Sequence, residues 1–171
     1  MPPTTACVVT TTSAPTEREV VSAARIWAAA TARRDDLDVP EPWERKLVGV
    51  RARLTSPGAV LFLADGPQGP SGFAVATPDA SHAELSYLAV DPQAWGHGTA
   101  AALLAAVERW ATALGAAEVV LWVLDDNARA QDVYARAGWV PTRERQRTAP
   151  SGRLERRLRL TLHGRRDQPR S

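Results

Sequence analysis

The stretch from Glu84 to Leu114 constrains the fold most, because its periodicity changes across a glycine-rich loop. Residues 84–90 alternate in the way that is typical of a strand. After the loop, which contains Gly96 and Gly98, the apolar residues fall near one face of a helix: Leu103, Leu104, Val107, Trp110, Ala111 and Leu114. A strand, a glycine-rich loop and a helix therefore follow one another directly.

The start of this helix predicts a binding site for negative charge. The first amide N–H groups of a helix have no intrahelical partner, and together they carry about half a unit of positive charge. Gly96 and Gly98 remove side chains that would keep a ligand away from the backbone, and they allow dihedral angles that other residues avoid. A phosphate or pyrophosphate group fits this chemistry.

Two well-known phosphate-binding loops fit this stretch poorly. A Walker loop ends in Gly-Lys-Ser/Thr, which is absent here. Residues 96–101 match the loosest dinucleotide-binding pattern, and Asp125 follows the next strand, where that fold places an acidic ribose ligand. However, residues 91–95 separate the strand from the first glycine, and too few strand–helix units follow to build the dinucleotide-binding sheet. The spacing therefore disfavours a dinucleotide site.

The stretch resembles the acetyl-CoA loop of the GNAT superfamily of acyl-CoA-dependent N-acetyltransferases. The family motif is Arg/Gln-x-x-Gly-x-Gly/Ala, preceded by a strand ending in hydrophobic-Val-Asp-Pro and followed by small-x-Leu-Leu. One register places residues 95–100 on the motif, with Gly98 and Ala100 at the small positions and Trp95 instead of Arg or Gln. Another register begins at Gln93; we adopt the first because the flanking motifs then align. The resemblance implies that acetyl-CoA binds at Leu88, Ala89, Val90, Trp95, Gly96, His97, Gly98, Thr99 and Ala100.

A second stretch resembles the same family. The residues Asn127-x-x-Ala130-x-x-x-Tyr134-x-x-x-Gly138-Trp139 match Asn-x-x-Ala-x-x-x-Tyr-x-x-x-Gly-Phe, with Trp for the final Phe. Ala130 and Tyr134 share a helix face, and Asn127 begins that helix. The resemblance implies that Asn127 contacts the pantetheine arm, that Ala130 leaves room for it and that the Tyr134 hydroxyl points toward the sulfur. The structural alternative is an N-cap at Asn127 and a core aromatic at Tyr134.

Amide formation from a thioester requires an uncharged amine, a polarised carbonyl group and a proton for the departing thiolate. The resemblance implies that Glu84 is the general base and that the Leu88 backbone N–H binds the acetyl carbonyl. Val90 would pair with pantetheine as an added strand does. Tyr134, a phenol with an ordinary pKa near 10, would protonate the coenzyme A thiolate. The alternative for Glu84 is an exposed or ion-paired carboxylate.

The remaining periodicity predicts the fold class. The element order β-α-α-β-β-β-α-β-α-β-β indicates an α/β (α+β) protein. The resemblance implies a GNAT-like mixed, mostly antiparallel central sheet of about six to seven strands with flanking helices. Residues 1–163 are expected to form a single domain, and the basic tail 164–171 is expected to be disordered. The predicted strands cover residues 6–11, 59–64, 72–77, 82–90, 118–124, a segment opening at 139–140, and 154–162; the helices cover about 13–32, 42–54, 98–114 and 128–137.

Composition limits the other classes of function. The chain of 171 residues is 44% hydrophobic and 23% charged, which suits one soluble domain. A net charge of +2 is too small for the whole chain to bind nucleic acid by charge alone. Cys7 is the only cysteine, and no His, Asp or Glu cluster has metal-ligand spacing, so we expect neither a disulfide nor a metal. No apolar run approaches the roughly 20 residues that span a bilayer, so we expect a cytoplasmic protein without a membrane partner.

Several charged residues have two interpretations. Asp35, Asp36, Asp38 and Glu41 form either a solvated loop or, as the resemblance implies, an acceptor-side segment that attracts a cationic amine. His97 contacts a phosphate or is simply exposed, and His82 is expected at the surface. The C-terminal third is rich in arginine, which we interpret as a solvated face rather than an RNA surface. Its arginines are Arg143, Arg145, Arg147, Arg153, Arg156, Arg157 and Arg159.

The predicted activity is transfer of an acetyl group from acetyl-CoA to a primary amine of a small molecule or peptide, by direct attack in a ternary complex. Two alternatives remain open. One is an acyltransferase of this fold that uses another acyl donor, either another acyl-CoA or an aminoacyl-tRNA. The other is a non-catalytic acyl-CoA-binding module. A homodimer is compatible with the fold, and no motif identifies the acceptor.

Overall fold

The computed structural model describes residues 7–149 and 151–163. Within them the element order is the predicted one, with a short 3-10 turn at Pro92–Ala94 as the one addition. The predicted first strand began at Ala6, and that residue and the predicted tail 164–171 lie outside the described residues. The elements are β1 (Val9–Thr12), α1 (Glu17–Arg34), α2 (Trp43–Leu54), β2 (Val60–Gly66), β3 (Gly69–Asp79), β4 (His82–Val90), α3 (Thr99–Ala113), β5 (Glu118–Leu124), α4 (Ala128–Arg136), β6 (Val140–Arg147) and β7 (Leu154–Thr161).

The seven strands form one sheet in the order β1-β2-β3-β4-β5-β7-β6. β4 and β5 run parallel, whereas β1 with β2, β2 with β3, β5 with β7 and β6 with β7 run antiparallel. The mixed, mostly antiparallel sheet predicted from the sequence is therefore confirmed. β2 and β3 form a tight hairpin in which Gly66 pairs with Gly69, so β3 extends beyond the predicted strand 72–77 at both ends.

Backbone contacts divide the described residues into two compact units. The first contains residues 7–77 and 85–107, and the second contains residues 78–84, 108–149 and 151–163. The single domain 1–163 stays a prediction.

The core of the first unit is built from the apolar faces of α1, α2 and three strands. Thr16 and Glu19 form a capping box that fixes the start of α1, because each side chain accepts a hydrogen bond from the other residue's backbone N–H. The Trp27 ring packs against the Tyr87 ring with centroids 4.3 Å apart. The buried residues of this core are Val20, Ala23, Ala24, Ile26, Leu47, Val50, Leu61, Leu63, Phe73, Val75 and Ala89.

The second unit is organised around β5, whose apolar run is buried as predicted. Val119, Leu121 and Val123 are 0%, 1% and 6% exposed. Leu114, which the apolar spacing places near the face of Leu103 and Val107, is 54% exposed. It follows the last residue of α3, Ala113, and Gly115 then turns the chain with a φ of 77°.

Candidate active site

In the first unit, the end of β4 and the following loop are held by backbone hydrogen bonds. The Asp91 N–H donates to the Ser71 carbonyl oxygen at 2.8 Å, which ties the strand end to β3. The Asp91 side chain accepts from the Gln93 N–H at 2.9 Å and caps the 3-10 turn. Of the predicted cofactor positions on β4, Ala89 and Val90 are buried and Leu88 is half-buried.

Trp95 links the loop to the strand. Its indole Nε1 donates a hydrogen bond to the Val90 carbonyl oxygen at 2.8 Å. Trp95 stands where the family motif has Arg or Gln, and the motif alone assigns it no function. The structure supplies a positional one, because the indole fixes the loop against the end of β4.

The glycines of the loop are required by backbone conformation. Gly96 and Gly98 have φ values of 81° and 82°, which residues with a side chain rarely adopt. A Cβ atom at either position would have no heavy atom within 4 Å, so the space beside them is open. Gly96, His97 and Gly98 are exposed. The loop therefore has the accessible backbone that the sequence analysis expected.

The first turn of α3 packs closely on β3. The Ala102 N–H donates to the Gly98 carbonyl oxygen at 3.0 Å, which marks the start of the helix. Helical geometry leaves the N–H groups of Thr99 and Ala100 without an intrahelical acceptor. A Cβ atom on Gly72 would lie 2.9 Å from the Thr99 methyl carbon, so the glycine in β3 permits this close approach. Together the positive end of the helix and the exposed loop form a surface suited to an anion.

In the second unit, Asn127 caps α4. Its side-chain Oδ1 accepts from the Ala130 N–H at 3.2 Å, so the N-cap interpretation is correct for the oxygen. The amide NH₂ group of Asn127 is a separate donor pair and is not used by this cap. Ala130 is half-buried, one turn along the same helix. The structure therefore supports the capping function and leaves the proposed pantetheine contact untested.

Tyr134 is buried on α4, with 8% of its surface exposed. Its ring packs against the Trp139 ring with centroids 5.8 Å apart and an interplanar angle of 59°. Burial raises the pKa of the Tyr134 phenol above its ordinary value of 10.0, because the phenolate loses solvation. The ordinary pKa expected for this phenol from the sequence is therefore too low.

Glu84 also belongs to the second unit. It lies in the short parallel ladder between β4 and β5, where it pairs with Val120, and it is half-buried. His82 begins the same strand and lies 3.3 Å from Asp79. Glu84 thus lies on the sheet, whereas Asn127, Ala130 and Tyr134 lie on α4.

The acidic segment between α1 and α2 is partly neutralised by its neighbours. Asp35 accepts two hydrogen bonds from the Arg34 guanidinium, and Glu41 lies 3.1 Å from the Lys46 ammonium. Asp36 and Asp38 are exposed. The segment therefore attracts a cationic amine less strongly than four free carboxylates would.

Most of the C-terminal arginines bind groups of the protein itself. Arg153 bonds to Asp126 at 2.9 Å, Arg156 to Asp125 at 2.5 Å and Arg157 to Glu144 at 2.6 Å. Arg145 and Arg147 donate to backbone carbonyl oxygens. These contacts support the interpretation of a folded, solvated face.

Two other sequence expectations can be compared with the described residues. Residues 7–149 and 151–163 contain no group of three His, Cys, Asp or Glu residues that could hold a metal ion. In the same residues, no helix is long and apolar enough to cross a membrane.

Comparison with protein families now adds to this geometry. Residues 24–139 match the model of the Acetyltransferase (GNAT) family, and this segment covers more than half of the chain and contains both motifs. The chain belongs to the GNAT family. A comparison with curated proteins finds no match.

Solved structures share the fold of this GNAT chain. The ribosomal-protein-S18-alanine N-acetyltransferase from Escherichia coli is 18% identical, with a TM-score of 0.69 over 96% of this chain and 100% of that one. Ard1 from Thermoplasma volcanium is 18% identical, with a TM-score of 0.69 over 91% and 98%. A Bacillus anthracis protein named as a streptothricin acetyltransferase, solved with acetyl coenzyme A, is 18% identical, with a TM-score of 0.58 over 66% and 68%. At these identities the likeness shows the fold alone, and it confirms the predicted fold class.

Membership of the GNAT family confirms the resemblance drawn from the glycine loop and the Asn127 motif. The mostly antiparallel sheet differs from the parallel sheet of the dinucleotide-binding fold, in agreement with the spacing of residues 91–95, which disfavoured that site. The functions of individual residues stay predictions.

Proposed function

We propose that this GNAT protein transfers an acetyl group from acetyl-CoA to a primary amine by direct attack in a ternary complex. The observation that supports this most is the exposed glycine loop at the start of α3. Its two residues with positive φ present backbone N–H groups beside the positive end of a 15-residue helix. The pyrophosphate of coenzyme A carries the charge and the acceptor oxygens that such a surface binds.

The end of β4 would hold the acyl arm. In this proposal the Leu88 N–H donates to the acetyl carbonyl oxygen, which stabilises the negative charge that develops there during attack. Ala89 and Val90 would pair with pantetheine through their backbone. The Val90 carbonyl already accepts from Trp95, but a carbonyl oxygen has two lone pairs and can take a second donor.

Glu84 would accept the proton that the amine must lose before it attacks, either directly or through one water molecule. Its position in the β4–β5 ladder gives the carboxylate a fixed backbone, which a general base requires. The tetrahedral intermediate then expels the thiolate of coenzyme A as the carbonyl re-forms. The proton from the amine and the electron pair on sulfur are thus both accounted for.

Tyr134 would act on the departing thiolate. Because burial raises its pKa, the phenol stays protonated at neutral pH and is available as a hydrogen-bond donor. The same shift makes complete proton transfer to a thiolate less favourable than it would be for an ordinary phenol. We therefore propose that Tyr134 stabilises the thiolate mainly by donating a hydrogen bond.

Two substitutions test the proposal when free thiol release is measured with a panel of amines. Glu84→Gln should lower kcat by about 10²-fold to 10⁴-fold, the range of general base catalysis, and leave acetyl-CoA affinity within about threefold. Tyr134→Phe should lower kcat more than it changes acetyl-CoA affinity. Glu108→Gln, on an exposed part of α3, and Tyr87→Phe are the matched controls.

One outcome would contradict catalysis as a whole, and another would contradict only the function proposed for Glu84. If the purified protein binds acetyl-CoA but releases no thiol with any amine, it is a binding module. If Glu84→Gln turns over at the wild-type rate, Glu84 is not the base. An acyl donor other than acetyl-CoA would appear as a higher kcat/KM with that donor.

A further inference from the structure

The second unit contains a cavity of about 350 Å³ where β6 departs from β7. Pro141 pairs with Leu158, and Arg145 pairs with Arg156. The three residues 142–144 of β6 therefore lie opposite a single residue of β7, Arg157. Surplus residues of this kind bend a strand out of its ladder. Side chains that line the space include Glu118, Val120, Arg143, Glu144, Arg157 and Arg159.

The cavity opens on the sheet face that carries Glu84. Glu84 pairs with Val120, and Val120 pairs with Arg159, so the three residues form one row across β4, β5 and β7. Residues paired in register point to the same side of a sheet. Since neighbouring strands lie about 4.8 Å apart, the Glu84 and Arg159 backbones are about 10 Å apart. Val120 and Arg159 both line the cavity, so the cavity begins one strand away from Glu84, on the same face of the sheet.

The charge of the lining is positive and partly uncompensated. The lining contains three arginines and two glutamates. One of the glutamates, Glu144, is already bonded to Arg157 at 2.6 Å. In residues 7–149 and 151–163, neither Arg143 nor Arg159 forms an ion pair with a carboxylate. Both side chains are exposed and can turn toward a bound anion.

Arg157 provides a donor that no residue in the described part of the chain satisfies. Its Nε is buried and has no hydrogen-bond partner among the described residues. Buried polar groups without a partner are rare in proteins, because leaving one unpaired costs folding free energy. Because this Nε is closed to solvent, a carboxylate in the cavity would accept instead from the exposed guanidinium groups of Arg143 and Arg159, which donate through planar pairs of N–H groups.

We infer that this cavity binds a carboxylate of the acceptor, so that the substrate is a small amine that also carries a carboxylate, such as an amino acid. The inference rests on the proposed acetyl transfer, because the row of paired residues would place the amine of such an acceptor near Glu84. A volume of 350 Å³ is at the lower end of small-molecule sites, which favours a compact acceptor.

The experiment compares acceptors in matched pairs that differ by one carboxylate: β-alanine with ethylamine, and γ-aminobutyrate with propylamine. Thiol release is measured with the wild type, Arg143→Gln, Arg159→Gln and the charge-matched control Arg109→Gln. We expect Arg143→Gln and Arg159→Gln to raise the KM of carboxylate-bearing acceptors at least about tenfold. The KM of uncharged-tail amines should change by less than about twofold, and the control should behave as the wild type. O-phosphoethanolamine tests whether a phosphate replaces the carboxylate.

A binding measurement separates this inference from the proposed function. Isothermal titration with glutarate, which cannot be acetylated on nitrogen, should show binding to the wild type and weaker binding to Arg159→Gln. Such binding without turnover of any amine would support the cavity and refute acetyl transfer. Turnover that is equal for both members of every pair, with no glutarate binding, would refute the cavity and leave acetyl transfer intact. A preference for O-phosphoethanolamine over every carboxylate would overturn the assignment of a carboxylate.

Discussion

At the scale of single residues, burial changes the acid–base chemistry of Tyr134. Burial favours the neutral phenol in the folded protein, so its pKa lies above the ordinary 10.0, whereas the unfolded chain loses this proton near that ordinary value. The contribution of this proton to the free energy of unfolding is therefore fully present below about pH 10, and it is lost as the pH rises above that value.

Replacing this phenol tests the shift. Urea unfolding of the wild type should show a free energy of unfolding that declines above about pH 10, with a contribution of up to about 1.4 kcal/mol per pH unit from one proton. Tyr134→Phe should lose this contribution, while Tyr87→Phe, which removes the other tyrosine, should retain it. Equal alkaline slopes in the wild type and Tyr134→Phe would show that the phenol titrates normally.

At the scale of elements, an ion pair joins the end of β5 to β7. Arg156 Nε donates to Asp125 Oδ1 at 2.5 Å, and the Asp125 N–H donates to the Leu154 carbonyl oxygen at 2.9 Å. The hydrogen bond from Arg156 is the main reason that the pKa of Asp125 lies below its ordinary value of 3.8. These two hydrogen bonds hold Asp125, shortly before the start of α4, against β7.

Acid should weaken this connection. Because the folded pKa is lowered, the stability from Asp125 is present above about pH 3.8 and is lost as the pH falls below it. Asp125→Asn should therefore lower the unfolding midpoint at neutral pH and show a smaller further loss between about pH 5 and 3. Asp132→Asn, at an exposed position of α4, is the control. A variant whose acid profile matches that of the wild type would contradict this assignment.

The elements themselves were predictable where one periodicity ran long enough. β4 and β5 have the predicted bounds, because their apolar residues and the turns on either side are compatible with only one placement of each strand. The exposure of Leu114 was not predictable, because it continues the apolar spacing of α3 and only the positive φ of Gly115 marks the turn that follows.

The candidate site was predicted less completely than the fold. The two motifs identified the glycine loop and α4, since fixed spacing survives in the sequence. The bulge at residues 142–144 has no sequence pattern, because it depends on the register between β6 and β7. The hydrogen bond from Trp95 to Val90 is equally invisible, since it joins atoms through a loop conformation.

At the scale of the whole molecule, binding of acetyl-CoA is expected to stabilise the folded chain. A ligand that binds the folded chain at one hundred times its Kd raises the free energy of unfolding by about 2.7 kcal/mol.

Hydrogen exchange can follow this effect along the chain. Saturating acetyl-CoA should raise the melting temperature and slow amide exchange in residues 96–102 and 127–134. Exchange at residues 35–42, between α1 and α2, should stay nearly constant and serves as the internal control. Protection that spares residues 96–102 would place the nucleotide elsewhere.

The surplus residues of β6 have a consequence for how such a protein can diversify. The ladder between β5 and β7 is continuous from Glu118 to Leu124, and it does not depend on residues 142–144. Insertions, deletions or substitutions at residues 142–144 can therefore accumulate without breaking the pairing of β5 with β7. Close homologues could therefore accept different acceptor substrates while the residues that bind the acyl donor stay the same.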